Sequence, residues 1–374
     1  MAGRLTPHWF LPTGGDGAHV GAVINDQART AAATERAGTV EYLSKVGRAA
    51  ERGGFVAALT PVGAACADPF TTCAMVAQHT ERLRFLVAFR PAFALPGYIA
   101  QQAQTFARLT EGRIDLNVVT GGDPVEQRAY GDFLDHDQRY ERTDEHLEVL
   151  GHLLRDEPKT SFDRAGTHLR VEGAQIELAW EHPGQPPVRR PLVYFGGASP
   201  AAERVAARHA DVYLAWGEPL ATIKGRAERM AKLAADEGRE VRIGLRIHVI
   251  ARDTHEQAWA EAERLLAGMD ASAVAASRER FARMDSVGQA RMAALNADAT
   301  SVPASAKDLE LEPGLWAGVG LVREGAGTAL VGTYDEVAER LHAYADAGVD
   351  ELILSGWPHL EEAERLGQEL LPLL

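Results

Sequence analysis

Cysteine is scarce in this sequence, and basic residues are fewer than acidic ones. The 374 residues include two cysteines, Cys66 and Cys73, which are too few for a disulfide framework and are spaced unlike zinc ligands. Lys and Arg number 39 against 53 Asp and Glu, so the formal net charge is −14. Such a charge opposes non-specific binding to nucleic acid or to an anionic membrane. We therefore expect small molecules and proteins as partners, and no nucleic acid.

Long hydrophobic runs are also missing. No stretch approaches the roughly 20 consecutive apolar residues that span a bilayer, and residues 1–8 do not contain the apolar core of a signal peptide. Both observations predict a cytoplasmic protein without membrane contact. Hydrophobic residues make up 46% and charged residues 25% of the chain, which are ordinary values for a folded protein and exclude disorder.

Short apolar runs alternate with longer amphipathic segments along the chain. The predicted strands are His8–Leu11, Phe55–Thr60, Leu83–Phe89, Ile114–Thr120, Leu192–Gly196, Val212–Trp216, Ile243–Ile250 and Glu351–Ser355. Helix-period segments, such as 40–52, 99–109, 145–154, 219–237 and 334–347, lie between them. Eight β/α units predict an α/β fold, the TIM (β/α)8 barrel. A doubly wound sheet competes, but Gly14–Gly17 follows the first strand without opening a helix.

Two segments exceed ordinary connections. Residues 160–190 are rich in Gly and Pro and predict a small β excursion. Residues 269–332 begin with a helical part at 274–295 and end in a Gly-rich stretch, residues 314–332, which we call the lid. Its glycines would let the backbone hinge beside the active face of a barrel. We predict one domain over residues 1–374 with two insertions, the second containing a mobile lid.

The predicted strand at 243–250 carries an arginine and a histidine two residues apart. Side chains alternate faces along a strand, so Arg246 and His248 must point the same way. In a parallel barrel that face looks inward, toward a site formed at the C-terminal ends of the strands. In an antiparallel strand the same pair would form a polar face in solvent. The pair is a candidate site if the barrel prediction holds.

The fifth predicted strand ends in Gly196-Gly197-Ala198-Ser199 and leads into a predicted helix at 200–209. Glycines allow close approach of a ligand, and a helix N-terminus offers free N–H groups and a positive dipole, which suits a phosphate. Ser199 would also be the N-cap. Taken alone, the tetrapeptide is more typical of an ordinary capped turn.

A series of motifs, in order along the chain, carries a specific family resemblance. The motifs are Trp9–Thr13, Gly15–Gly17, Asn117–Pro124, Phe133–Glu141, Tyr194–Gly197, Trp216–Pro219, Arg246–Ile250, Asp285–Gln289, Leu315–Val331 and Pro358–Ala363. Together they extend from about residue 8 to the C-terminus. The sequence resembles the FMN-dependent alkanesulfonate monooxygenases, which are members of the bacterial luciferase-like superfamily.

The resemblance implies a TIM barrel that takes FMNH2 from a separate NAD(P)H:FMN reductase and uses O2 to oxygenate the carbon bearing a sulfonate, giving sulfite and an aldehyde. The implied FMN-binding residues are Tyr140, Ser199, Gly197 and Ala198 at the phosphate, with Asn117, Thr120 and His136 nearby. The implied catalytic residues are Arg246, His248, Cys66, Trp357 and the lid residue Arg323. The family is commonly oligomeric, which implies a homo-oligomer, either a dimer or a tetramer.

General chemistry is consistent with these implied roles. A sulfonate spreads one negative charge over three oxygens, which suits two arginines with several donors each. An arginine also stabilises a reduced, anionic flavin, whose oxygen chemistry a lid would shield from water. We expect His248 to orient the substrate or to relay a proton near neutral pH.

Two positions and one loop depart from the family pattern. Gly14 stands where the family has histidine, Trp357 stands where it has tyrosine, and the loop before Cys66 lacks the usual arginine-serine pair. Tryptophan keeps an N–H donor but cannot ionise or accept a hydrogen bond. The first loop, Val20–Gly38, is also longer than usual. A pocket rebuilt for another substrate, such as a larger sulfonate, a sulfone or a specialised metabolite, is therefore the alternative.

Two other classes of protein remain open. One is a luciferase-like barrel that binds a flavin or deazaflavin without oxygenating anything, although the arginine in the lid argues against it. The other is a metal hydrolase, which would need clustered ligands at strand ends. Only His248 and His359 are candidates there, so we expect no metal.

Overall fold

The computed structural model describes residues 5–20, 35–154, 161–180, 184, 188–299 and 301–374. Its strands are β1 (Thr6–Phe10), β2 (Ala57–Thr60), β3 (Arg84–Phe89), β4 (Ile114–Val118), β5 (Phe162–Ala165), β6 (Arg170–Ala174), β7 (Val193–Gly196), β8 (Val212–Trp216), β9 (Arg242–Arg252), β10 (Glu310–Glu312), β11 (Leu315–Trp316), β12 (Ala329–Thr333) and β13 (Glu351–Ser355). Its helices are α1 (Val40–Gly53), α2 (Pro69–Ala77), α3 (Pro96–Leu109), α4 (Pro124–Ala129), α5 (His136–Leu153), α6 (Pro200–His209), α7 (Leu220–Asp236), α8 (His255–Ala267), α9 (Ala271–Arg283), α10 (Val287–Ala294), α11 (Tyr334–Asp346) and α12 (His359–Glu369).

Eight of these strands close into a parallel barrel. Their order is β1, β2, β3, β4, β7, β8, β9 and β13, and β13 pairs with β1 to close the ring. The eight predicted strands coincide with these eight, so the TIM barrel prediction is confirmed. Because β9 pairs in parallel with both β8 and β13, the antiparallel interpretation of Arg246 and His248 is wrong.

The barrel strands are buried on both faces because helices cover their outer side. Every residue of β2, β4 and β13 is buried. Fully burying one aliphatic or aromatic side chain contributes roughly 1.5–3 kcal/mol. A strand that is buried on both faces therefore favours apolar residues at successive positions, as in β2 and at 352–354 of β13. Strand β4 is an exception, because Asp115 and Asn117 alternate with its apolar residues.

Helix α5 begins well before its apolar periodicity does. The amphipathic pattern predicts a helix from residue 145, whereas α5 starts at His136. A capping box starts it: the Asp135 side chain accepts from the Gln138 amide at 2.9 Å, and the Gln138 side chain accepts from the Asp135 amide at 3.1 Å. This earlier start places His136 and Tyr140 one turn apart on the same helix.

The two insertions contain further strands. The first forms the antiparallel hairpin β5–β6, as predicted, although residues 155–160, 181–183 and 185–187 lie outside the described part, as do residues 21–34 of the long first loop. In the second, α9 and α10 replace the single predicted helical part, and β12 pairs in parallel with the end of β9, with Ala329 opposite His248. The C-terminal end of the lid is therefore part of a strand, β12, beside the barrel.

Two lid glycines allow their backbones to pack closely, and the mobility of the lid stays a prediction. The Gly320 N–H donates to the Gly327 carbonyl at 2.8 Å, and a Cβ on Gly327 would lie 3.0 Å from the Gly320 Cα. Among the lid glycines, Gly314 and Gly325 have a positive φ, at 75° and 89°, whereas Gly320 and Gly327 do not. Gly320 and Gly327 thus close a loop that contains Arg323.

Candidate functional site

A cavity of about 240 Å³ lies at the C-terminal ends of the barrel strands. This is the end at which TIM barrels form their sites. Residues of α10 and the turn before it cover one side, namely Ser286, Val287, Gly288, Arg291 and Met292. The lining includes all the residues expected to bind a cofactor and one expected catalytic residue: Asn117, Thr120, His136, Tyr140, Gly197, Ala198, Ser199 and Arg246.

One end of the cavity is a backbone cradle at the start of α6. Ser199 caps this helix, and its Oγ accepts from the Ala202 amide at 3.2 Å. Gly197 has a φ of 151°, and a Cβ there would lie 2.6 Å from the Ala202 Cβ and 3.1 Å from the Tyr140 hydroxyl. Burial raises the pKa of Tyr140 to about 12, so its hydroxyl remains a donor at neutral pH. This end of the cavity therefore suits an anionic group such as a phosphate.

The neighbouring wall combines polar atoms with apolar surface. The Asn117 Oδ1 is buried and has no hydrogen-bond partner among the described residues. The Thr120 and Thr143 hydroxyls are 3.3 Å apart, and the His136 ring packs 4.9 Å from that of Tyr140. Leu59, Val62, Leu214, Trp216 and Ile353 supply apolar lining. A planar heterocycle bearing a phosphate, as in FMN, fits this combination of an unpaired acceptor, apolar walls and a donor-rich end.

Sequence reasoning missed an ion pair in the wall of the cavity. Glu218 and Arg226 are 5% and 4% exposed and form a salt bridge, and Arg291 of α10 lies 3.7 Å from the Glu218 carboxylate. Glu218 follows a predicted strand end, which could have identified it. Arg226 lies in the middle of an amphipathic helix, where an arginine usually faces solvent, so its pattern gives no signal.

Arg246 and His248 are joined through a third residue. The Arg246 Nη2 donates to the Ser355 Oγ at 2.9 Å, and the Ser355 Oγ lies 2.7 Å from the His248 Nδ1. Arg246 is 6% exposed, and the other two are 0% exposed. Ser355 was not among the predicted site residues, although its position at the end of the last barrel strand was a readable signal.

His248 does not line the cavity, and its ring contacts the lid. Its Nε2 lies 3.1 Å from the Ala326 carbonyl and 3.2 Å from the Arg323 Nη1, both in the lid. Burial, and then the charges of Arg246 and Arg323, hold the pKa of His248 well below its ordinary value. The ring is therefore neutral at pH 7.

Two guanidinium groups lie over the same aromatic ring. Arg246 and Arg323 stand 4.9 and 5.6 Å from the centre of the Phe10 ring, and both are at least nine-tenths buried. Burial lowers the pKa of Arg323 to about 10, and the charge of Glu324 opposes that shift. In the described part of the chain, no salt bridge joins either guanidinium to a carboxylate, and the Glu324 carboxylate is the acidic group whose charge acts on Arg323. This region therefore has a local excess of buried positive charge.

The remaining predicted catalytic residues, Trp357 and Cys66, lie near His248 and Arg323 respectively and do not line the cavity. The Trp357 ring stacks on the His248 ring at 4.5 Å, and its Nε1 has no partner among the described residues. Cys66 lies in the loop after β2, close enough to Arg90, Glu126 and Arg323 for their charges to act on it. Gly14 is exposed, so this departure from the family pattern faces solvent.

The described residues contain neither a cluster of metal ligands nor a membrane-spanning helix. No group of three or more His, Cys, Asp or Glu side chains is arranged to hold a metal ion within those ranges. Among the described helices, none combines the length and apolar character needed to cross a membrane.

Comparison with known proteins gives one family and a consistent fold. The model of the family described as luciferase-like monooxygenase matches residues 8–351. A long-chain alkane monooxygenase superposes with a TM-score of 0.76 at 20% identity, over 100% of this chain and 91% of that chain. EDTA monooxygenase from Chelativorans sp. BNC1 gives 0.73 at 19% identity, over 99% and 93%. A riboflavin lyase solved with modified FMN and riboflavin gives 0.73 at 18% identity, over 99% and 91%.

Proposed function

This chain belongs to the luciferase-like monooxygenase family, and we propose that within it the chain is the oxygenating half of a two-component system. It would take FMNH2 from a separate NAD(P)H:FMN reductase and use O2 to desulfonate an organosulfonate. The proposal also makes it a cytoplasmic homo-oligomer, a dimer or a tetramer. The observation that carries the substrate class is the buried pair Arg246 and Arg323, which have no carboxylate ion-pair partner among the described residues.

An anion is the natural counterpart of those two guanidinium groups. Burying a cation without a partner is strongly unfavourable, so their retention implies negative charge supplied by a ligand. A sulfonate offers three equivalent oxygens to fork-shaped donors.

The cofactor would be held by residues that line the cavity. Ser199, Tyr140 and the Gly197–Ala198 backbone would bind the phosphate, and Asn117 would accept from a ring N–H with its unpaired Oδ1. Reduced FMN, when bound, would supply the two electrons that activate O2. Thr120 and His136 would border the ring and its ribityl chain.

The other residues would hold charge and exclude water. Arg246 would stabilise negative charge at the floor of the site, and Arg323 would do so from the lid. Residues of α10 and the lid would keep bulk water from the reacting atoms. Trp357 would act through His248, on which it stacks. Cys66 would remain a neutral thiol.

The overall reaction balances for a primary sulfonate. R–CH2–SO3⁻, O2 and FMNH2 give R–CHO, HSO3⁻, FMN and H2O. The C–S bond breaks, one oxygen atom of O2 becomes the aldehyde oxygen, and the other leaves as water. FMNH2 provides two electrons, and the carbon bearing the sulfonate provides the other two.

The experiment is sulfite release by the purified protein with O2, FMN, NADH and an added FMN reductase, across short and long alkanesulfonates. Sulfite above the no-enzyme level is the expected result. Arg246→Ala should lower turnover by about a hundredfold or more, because donors aimed at developing charge typically contribute that much. Arg82→Ala is the matched control, since the Arg82 side chain is 74% exposed, and it should not change turnover.

FMNH2 affinity measured on the same preparation separates the two parts of the proposal. Tight FMNH2 binding without sulfite from any sulfonate would overturn the substrate class and keep the flavin role. Absence of FMNH2 binding would overturn both. A wild-type turnover in Arg246→Ala would remove this arginine from the mechanism.

A further inference from the structure

His248 holds the lid with two different groups. Its main-chain N–H donates to the Thr328 carbonyl at 3.1 Å, and its ring Nε2 lies 3.1 Å from the Ala326 carbonyl. These two carbonyls flank Gly327, which closes the loop containing Arg323. His248 therefore contacts the lid main chain on both sides of Gly327.

The His248 ring is occupied by protein groups on every side that the structure describes. The Ser355 hydroxyl meets Nδ1 at 2.7 Å, and Trp357 stacks on the ring face. The side chain is 0% exposed. A ring so enclosed is placed to position other groups and has no open nitrogen for a ligand.

The donors and acceptors favour one position for the ring proton. A guanidinium can only donate, so the Ser355 Oγ must accept from Arg246, and its own proton is free to go to the His248 Nδ1. Nδ1 is then the acceptor, and the neutral ring carries its proton on Nε2, where the Ala326 carbonyl accepts it. The Ser355 hydroxyl, both ring nitrogens of His248 and the Ala326 carbonyl then all form hydrogen bonds.

The opposite tautomer leaves two groups unsatisfied. With the proton on Nδ1, Ser355 would accept twice, and its buried hydroxyl proton would have no acceptor among the described residues. The Nε2 lone pair would also face the Ala326 carbonyl oxygen at 3.1 Å. Only the contact from the Arg323 Nη1, at 3.2 Å, would gain a hydrogen bond. Leaving a buried polar group unpaired is unfavourable.

We propose that His248 is a positioning residue that latches the lid through an Nε2–H···O=C bond to Ala326, and that Ser355 fixes the tautomer on which this latch depends. The hydroxyl thus connects a guanidinium in the wall of the cavity to the main chain of the lid. In this tautomer the Arg323 Nη1, 3.2 Å from Nε2, does not donate to the ring. The latch does not depend on which substrate the protein uses.

The tautomer can be read from the 15N spectrum of protein labelled selectively at histidine, recorded at about pH 7.5. His248→Gln identifies the signals of His248 by their loss. We expect a protonated Nε2 and an unprotonated Nδ1 in the wild type. Ser355→Ala should move the pattern toward a protonated Nδ1, whereas Ser355→Thr keeps the hydroxyl and should retain the wild-type pattern. A protonated Nδ1 in the wild type, or no response to Ser355→Ala, would overturn the assignment.

The latch itself can be tested by trypsin, because Arg323 is a cleavage site that is only 7% exposed. Cleavage after Arg323, followed by mass spectrometry, reports lid opening without any cofactor. His248→Gln places an amide N–H near the position of Nε2 and should cleave at the wild-type rate. His248→Asn places its amide near Nδ1 and should cleave at least about fivefold faster, as expected for the loss of one hydrogen bond.

The His248→Gln and His248→Asn variants distinguish a hydrogen bond donated at the Nε2 position from packing of the imidazole ring against the lid. Equal acceleration in both variants would mean that ring packing holds the lid, and unchanged cleavage in both would mean that His248 does not hold it. Either outcome overturns the proposal. Far-UV circular dichroism of both variants confirms that each is folded before digestion.

Discussion

The thiol of Cys66 is kept protonated by its surroundings. Burial raises the pKa of Cys66 to about 11, the Glu126 carboxylate adds to that shift, and the charges of Arg90 and Arg323 oppose it. Only a thiolate is a strong nucleophile. Cys66 therefore contributes a neutral group beside the lid arginine at physiological pH.

We predict that alkylation of Cys66 by iodoacetamide accelerates about tenfold per pH unit from about pH 8 to about pH 10, because the thiolate fraction keeps rising over that range. An ordinary cysteine, with a pKa near 8.5, would level off. Intact-mass spectrometry of the Cys73→Ala variant measures this, since Cys66 is then the single thiol. A plateau near pH 8 would instead indicate a reactive, low-pKa thiol.

The residue types at the strand ends could be predicted from the sequence. The hydrogen bonds between side chains on different strands could not. Arg246 and His248 were predicted to share a face, and the structure joins them through Ser355. The strand pattern contains no information on which hydroxyl bridges them, because the register of β9 against β13 decides it. For the same reason the pattern could not show that His248 faces the lid and not the cavity.

At the scale of elements, the lid depends on a close contact between two backbones. We predict that Gly327→Ala destabilises the protein by about 1–3 kcal/mol, because its Cβ would lie 3.0 Å from the Gly320 Cα and the backbone must shift. The same variant should increase trypsin cleavage after Arg323. Urea unfolding and digestion measure the two effects.

The matched control is Gly225→Ala within α7, where a Cβ meets nothing within 4 Å. Alanine is favoured over glycine in a helix by up to about 1 kcal/mol, so this variant should be equally stable or more stable. Equal behaviour of the two variants would show that the contact between Gly320 and Gly327 does not hold the lid loop.

Most barrel strands were predictable because they contain short apolar runs that are buried. The strand β12 was missed because Ala329–Thr333 follows a Gly-rich stretch, which indicates a flexible segment. Its pairing depends on β9 extending to Arg252, beyond the barrel. Only the three-dimensional neighbour makes β12 a strand, so local sequence could not reveal it.

At the scale of the whole molecule, Asp16 ties the first barrel unit to the last. Its carboxylate accepts from the Gly17 amide at 2.9 Å and the Tyr42 hydroxyl at 2.5 Å. It also contacts the His359 amide and ring, both at 2.8 Å. Because β1 closes the ring against β13, the start of α12 and the first loop meet here, and Asp16 is 0% exposed at their junction.

We predict that Asp16→Asn lowers the free energy of unfolding by about 3 kcal/mol at pH 7, since breaking a buried pair leaves its partners unsatisfied.

Burial alone would raise the pKa of Asp16, but the His359 charge and the donated hydrogen bonds hold it below its ordinary value. The unfolded chain therefore takes up this proton first as the pH falls. The stabilisation is complete above about pH 4 and is lost below it. The difference between wild type and Asp16→Asn, measured by urea unfolding, should accordingly shrink as the pH falls below about 4. Glu339→Gln on α11 is the control, because Glu339 is exposed and forms no ion pair among the described residues, and it should be indistinguishable from wild type. An Asp16→Asn difference that does not change with pH would show that the charge of Asp16 does not stabilise this junction.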